Sequence, residues 1–156
     1  KERDTNKGQA GNKVQEINPA RVFIGKLRHG GGLLEELTSV CKENRIQLGK
    51  LEGLGAVKKA RLGYYNQDTR EYEFFELNQH LEILSLVGNV SLKDGQPIIH
   101  AHVTLADDKG RAFGGHLAPG TEIFACECCI QAMEGPAFNR GFDEKTGLPL
   151  WDTPVD

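Results

Sequence analysis

The chain has 156 residues, 38% of them hydrophobic and 26% charged, which suits one domain whose core needs no staples. A formal net charge of −3 argues against the basic footprint of a nucleic-acid binder. No stretch has the apolar length of a membrane-crossing helix and no basic start leads into a hydrophobic run, so no membrane partner is expected, while three cysteines within four residues suit reduced thiols and a cytoplasmic setting.

The chain begins at Lys1 rather than Met, as expected of a trimmed or processed product. Residues 1–18 are polar, rich in Gly, Lys and Asn, and read as a flexible leader. Arg21 to Leu27 reads as a strand that runs through Arg28-His29 into Gly30-Gly31-Gly32. Free amides at a helix start bind anions, but this spacing matches neither a dinucleotide motif nor a P-loop. A flexible strand-to-helix turn is the simpler reading. Leu33, Leu34, Leu37, Val40 and Cys41 then give the apolar stripe of a helix. The segment from Leu48 to Val57 is punctuated by Gly49, Gly53 and Gly55, which suggests tight turns or close backbone packing.

Strands are predicted over 60–66, 71–77 and 81–92, separated by turns at 67–70 and 93–97. Two further strands, 98–106 and 111–118, flank Asp107-Asp108-Lys109-Gly110, and Ala118-Pro119-Gly120 closes that unit. Glu122 to Met133 reads as a strand buried on both faces. Beyond Gly135 the chain is rich in Pro and Gly, holds the sole tryptophan, Trp151, and is expected to be an extended tail packed on its own or a neighbouring subunit. One early helix followed by strands implies an α+β fold: a mostly antiparallel sheet with one main helix packed on it. The expected divisions are a leader (1–18), a single domain (19–134) and a tail (135–156).

Cys41, Cys126, Cys128 and Cys129 do not form a disulfide framework, because three of them crowd into four residues. Buried small apolar residues are the better reading, ahead of thiolate ligands for a soft metal.

The histidines carry the chemistry. In a strand, side chains alternate faces, so Ile99, Ala101, Val103 and Leu105 form an apolar face and His100 and His102 point away from it. If Asp108 to Gly110 form a three-residue loop with Gly110 left-handed, Asp107 pairs with Arg111. Counting outward then places His116 opposite His102 on the same face. A two-residue loop would shift the register by one and turn His116 away. Three converging neutral imidazoles suit a metal in geometry and in chemistry. His29 and His80 read as ordinary.

Taken together, Glu82-Ile83-Leu84-Ser85-Leu86-Val87-Gly88-Asn89, His100-Ala101-His102 and Gly114-Gly115-His116-Leu117 resemble the PPC (plant and prokaryote conserved) domain family in order and spacing, across about residues 20–134. Plant members carry Gly-Arg-Phe-Glu-Ile-Leu where this chain has Gln79-His80-Leu81-Glu82-Ile83-Leu84, so its first three positions depart. The resemblance implies a homotrimer and, as in some prokaryotic relatives, a metal on the histidines aligned with His100, His102 and His116. Plant members add an AT-hook, which needs an Arg-Gly-Arg-Pro-like core. Lys109-Gly110-Arg111-Ala112 and Arg140-Gly141-Phe142 lack that form, so direct DNA binding by this chain alone is not expected.

Zinc is the default ion, although nickel, copper or iron would suit the same ligands. Three ligands leave a tetrahedral position open, as in catalytic zinc sites. One reading is therefore a hydrolase or lyase for a small molecule, with Glu82 as candidate base and Arg28 as candidate partner for substrate charge. The favoured reading is a metal-holding interaction or regulatory module, its site closed by a neighbouring chain or a small anion. A DNA-associated protein is the third.

Overall fold

The structure, a computed structural model, describes residues 11–152; residues 1–10 and 153–156 lie outside the description, and with them the greater part of the expected leader. The elements in chain order are β1 (Asn18–Lys26), α1 (Leu33–Glu43), β2 (Gly49–Asn66), β3 (Glu71–Leu77), β4 (Leu81–Lys93), β5 (Gln96–Ala106), β6 (Ala112–Leu117), β7 (Glu122–Glu134), β8 (Asn139–Phe142) and β9 (Pro149–Asp152). All nine strands join one sheet, and their pairings are antiparallel apart from a parallel bridge between β4 and β8. The expected class therefore holds in outline, with strands outweighing the one helix. No helix among the described residues is long and apolar enough to cross a membrane.

The organising strand is β2. Its first half pairs with β7 on one edge and β4 on the other, while its second half pairs with β3 and β6. Because β4 pairs with β5 and β5 with β6, the path returns to β2 and encloses the core. Leu51, Val57, Leu62, Leu86, Val90, Val103 and Leu105 point inward and are almost fully buried. The helix adds Leu33, Leu37 and Cys41, the stripe read from the sequence. Burying a Leu or Val side chain contributes about 1.5–3 kcal/mol, so this apolar interior is what holds the strands in place.

The glycine-rich stretch after Leu48 is the first half of one continuous strand, Gly49–Asn66, so of tight turns and close backbone packing the second holds. Its glycines serve close approach: a Cβ on Gly49 would stand 2.5 Å from the Gln131 carbonyl oxygen, and one on Gly55 would collide with that of Ala125. One expectation needs correction: strand β7 is buried on one face only. Ile123, Cys126, Cys128 and Ile130 face the core, whereas Phe124 is 55% exposed.

The C-terminal segment folds back on its own chain. Strands β8 and β9 form a hairpin, and Leu92 of β4 pairs with Asn139 at its base. Trp151 donates from Nε1 to Ser91 Oγ at 2.9 Å, and its ring packs edge-on to buried Phe138. Arg70 donates to the carbonyls of Glu144 and Lys145, tying the tip of this hairpin to the β2–β3 turn.

Gly55 has φ +148°, a backbone shape that side chains rarely adopt, beside a bulge in the β2–β4 register. Gly55→Ala is expected to cost about 2–4 kcal/mol through combined strain and backbone collision. Urea denaturation checks this, and an unchanged midpoint would contradict it.

Candidate metal centre

The register that gathers the histidines is written in a turn. Asp107 N–H donates to the Arg111 carbonyl at 3.0 Å, Gly110 N–H donates to the Asp107 carbonyl at 3.0 Å, and Gly110 has φ +75°. Asp108 to Gly110 thus form the three-residue loop. The Asp107 side chain locks it: Oδ1 accepts from the N–H groups of Lys109 and Arg111, and Oδ2 accepts from Arg111 Nε at 2.7 Å. Burial alone would raise the Asp107 pKa, but these hydrogen bonds and the Arg111 charge outweigh it and hold the carboxyl below its usual range. Counted out from this turn, His102 lies opposite His116.

The three rings converge as the alternation requires. One ligand nitrogen from each of His100, His102 and His116 lies within 4.8 Å of the others. His100 Nε2 and His102 Nε2 are 3.3 Å apart. Nitrogens about 2.0–2.1 Å from a tetrahedral ion would be separated by about 3.3–3.4 Å, so the His100–His102 spacing is that of two ligands of one ion. A hydrogen bond between two neutral rings would account for that one contact. It would leave His116 Nδ1, buried and without a hydrogen-bond partner among the described residues, unexplained. Leaving such an atom unpaired costs about 1–3 kcal/mol, so the donor set fits a metal.

Electrostatics keep the rings ready for an ion. Burial, with lesser contributions from His116, Arg140 and His102, lowers the His100 pKa to about 4. Burial, His102 and Arg140 lower that of His116 as well. Neutral imidazole is the ligating form. Gly88 lets β4 approach β5 here, since a Cβ on it would meet the His100 carbonyl oxygen at 2.5 Å.

Neither Glu82 nor Arg28 is brought to this cluster. Strand β4 does lie beside β5, but the residues opposite His102 and His100 are Val87 and Asn89. Glu82 pairs with Ala106, four residues beyond His102 and so roughly 13 Å along the strand. It lines a separate concavity of about 430 Å³ together with His80, Asp108 and Phe124. Arg28 follows β1, two strands from β2, and is ion-paired with Glu36 at 2.7 Å. In the glycine turn the N–H groups of Gly30, Gly31 and Leu33 donate to the carbonyls of Ile123, Arg28 and Thr121, as a structural turn requires. His29 Nδ1 sits 2.7 Å from the Phe124 carbonyl oxygen, an ordinary contact. The cysteines are free, and burial pushes the Cys41 and Cys126 thiols up to about 11, so they are poor thiolate donors.

Three neighbours of the histidines were missed from sequence. The Tyr72 ring, from β3, packs on His116 with centroids 4.7 Å apart. Asn89 faces His100 across the β4–β5 ladder. Arg140, from β8, donates from Nη2 to Asn89 Oδ1 at 2.9 Å and from Nη1 to the Pro149 carbonyl at 3.0 Å. Its Nε is buried without a partner among the described residues, as is His116 Nδ1. A signal for Asn89 existed. Asp94-Gly95 is a two-residue turn with φ positive at both positions, and counting outward from Lys93↔Gln96 gives Asn89↔His100.

Comparison with known proteins shows the family. Residues 14–134 match the family model of the Plants and Prokaryotes Conserved (PCC) domain, and the chain belongs to that family. It is similar to a crystal structure described as a metal-containing protein from Archaeoglobus fulgidus, at 43% identity and TM-score 0.86, over 90% of this chain and 99% of that one. It is also similar to a plant- and prokaryote-conserved (PPC) protein from Pyrococcus horikoshii, at 34% identity and TM-score 0.85, over 92% and 99% of the two chains. Among curated sequences it is 33% identical over 143 residues to the bifunctional protein GlmU of Synechococcus, covering 90% of this chain but 21% of that protein. The chain thus spans about a fifth of the curated relatives it matches.

In the unfolded chain a histidine takes up its proton near pH 6.5, whereas folded His100 resists protonation down to about 4. The unfolded state therefore binds more protons in that window, and stability present above pH 6.5 is lost as pH falls towards 4. The metal-free protein should show this loss in denaturant titrations at successive pH values, and His100→Gln should flatten it. A profile unchanged by the substitution would contradict the assignment.

Proposed function

We propose that this chain is a homotrimeric, metal-holding module of its family, with zinc on His100, His102 and His116 and one coordination position left for a small ligand. The observation that carries the reading is the convergence of three nitrogens within 4.8 Å, held by two hairpins whose turns fix the register. Three imidazoles in a tetrahedral arrangement favour zinc over harder ions. When bound, such an ion supplies a Lewis acid, and the residues around it keep the rings neutral and aimed.

Self-assembly is supported by an apolar outer face. Ile24 is 86% exposed, Val87 59%, and Leu54 and Leu84 57% each, and the four line one open groove across β1, β2 and β4. A contiguous apolar surface of this kind marks an interaction site, and a second and third copy of the chain are its proposed occupants. Val87 is the ladder partner of His102, so this face reaches the metal centre. In the Synechococcus relatives the similar segment makes up about a fifth of a longer protein, which supports an accessory role beside other activities.

A second reading, a metal-dependent hydrolase or lyase for a small molecule, is favoured by the open position together with the guanidinium of Arg140 nearby. Glu82 is not a base for it, given its place along β4. Direct DNA binding has no support in the residues: the chain carries a net charge of −3 and no AT-hook core.

Elemental analysis of the purified chain is expected to find about one zinc per protomer, and His102→Ala should weaken zinc affinity by more than about 100-fold. Metal content equal in both proteins would overturn the reading. Light scattering should report three copies for the wild type, and Leu54→Asp should shift the mass towards one. A wild type that is monomeric at micromolar concentration would remove the trimer.

A further inference from the structure

Arg140 is out of place for a metal site. Its guanidinium is tied to the surroundings of the histidines through Asn89, whose Oδ1 it holds at 2.9 Å and which stands opposite His100 in the β4–β5 ladder. The acceptors it has found, Asn89 Oδ1 and the Pro149 carbonyl, are neutral. None of the ion pairs among the described residues involves it; these are Arg28–Glu36, Lys58–Glu122 and Arg111–Asp107. The metal-ligand cluster itself holds no carboxylate. A divalent ion on three neutral rings would therefore add two positive charges beside a third, with no carboxylate in the cluster or ion-paired to Arg140 among the described residues to offset them. Like charges held close in a partly desolvated site are costly.

We propose that the missing charge is brought by the ligand: a small-molecule carboxylate shared between the bound ion and Arg140, which makes Arg140 the residue that selects anions at this centre. This rests on the three-histidine metal reading. The planar guanidinium matches a carboxylate, and each Nη keeps a second hydrogen after its bond to Asn89 or Pro149. A phosphate fits less well. Phosphate sites gather several donors or a free helix N-terminus, whereas the histidines and their neighbours Tyr72, Asn89 and Arg140 all come from strands. The guanidinium is also well braced. Trp151 lies 5.3 Å from it and is anchored to Ser91, so Arg140 is held in place without an acidic partner.

The test uses the full chain loaded with cobalt(II), whose visible absorption reports both the histidine site and changes at its open position. In chloride-free buffer at constant ionic strength, acetate and inorganic phosphate are titrated separately. Wild type is expected to show a saturable spectral change with acetate and weaker binding of phosphate. Arg140→Gln should take up cobalt as before but lose about tenfold or more in acetate affinity. Arg140→Lys, which keeps the charge and loses the planar fork, should fall between them, and it carries the test if Arg140→Gln does not fold. Equal acetate affinity in wild type and variants would overturn the role of Arg140, and tighter phosphate binding would overturn the carboxylate. Absence of a histidine-bound cobalt spectrum in wild type would instead sink the metal reading, and this inference with it.

Discussion

The position of one loop decides whether this protein has a metal centre at all. Side chains on a strand change face with every residue, so a slip of one position between β5 and β6 would turn His116 into the core. The Asp107 carboxylate prevents that slip by accepting from two backbone N–H groups and the Arg111 side chain while itself almost fully buried. A buried carboxylate with both oxygens accepting hydrogen bonds is a demanding arrangement, and it tolerates few alternative registers. The chemistry at one end of the hairpin thus depends on polar geometry at the other.

The rest of the scaffold serves the same end. The long strand β2 borders both halves of the sheet, and its tail reaches β6 at Leu62 and Gly63, beside His116. Strand β4 lies on the other side of β5, with its own tight turn setting which residues face His100 and His102. The site is therefore supported from both flanks by regular hydrogen-bonded structure. Pairing of this kind holds ring positions more firmly than a loop would.

What could be read from the sequence follows from how local the determining physics is. Strand alternation and turn stereochemistry act over a few residues, and they were enough to place His116 opposite His102. The helix stripe from Leu33 to Cys41 was legible for the same reason. The glycines of β2 left two readings open because the same residue suits both a turn and a close backbone approach, and the approaching partner, β7, lies about 70 to 80 residues further on. Glu82 was misplaced because the β4–β5 register was not counted from Asp94-Gly95. Arg140 was beyond reach: its position depends on a hairpin that joins β4 through the pairing of Leu92 with Asn139, and no periodic pattern announces such a contact.

The family match ends at residue 134, and Arg140 comes after it. The three candidate ligand rings lie within that match, whereas the guanidinium bonded to Asn89 comes from the β8–β9 hairpin after it. An exchange of that hairpin would change the company the imidazoles keep without disturbing the turns that align them.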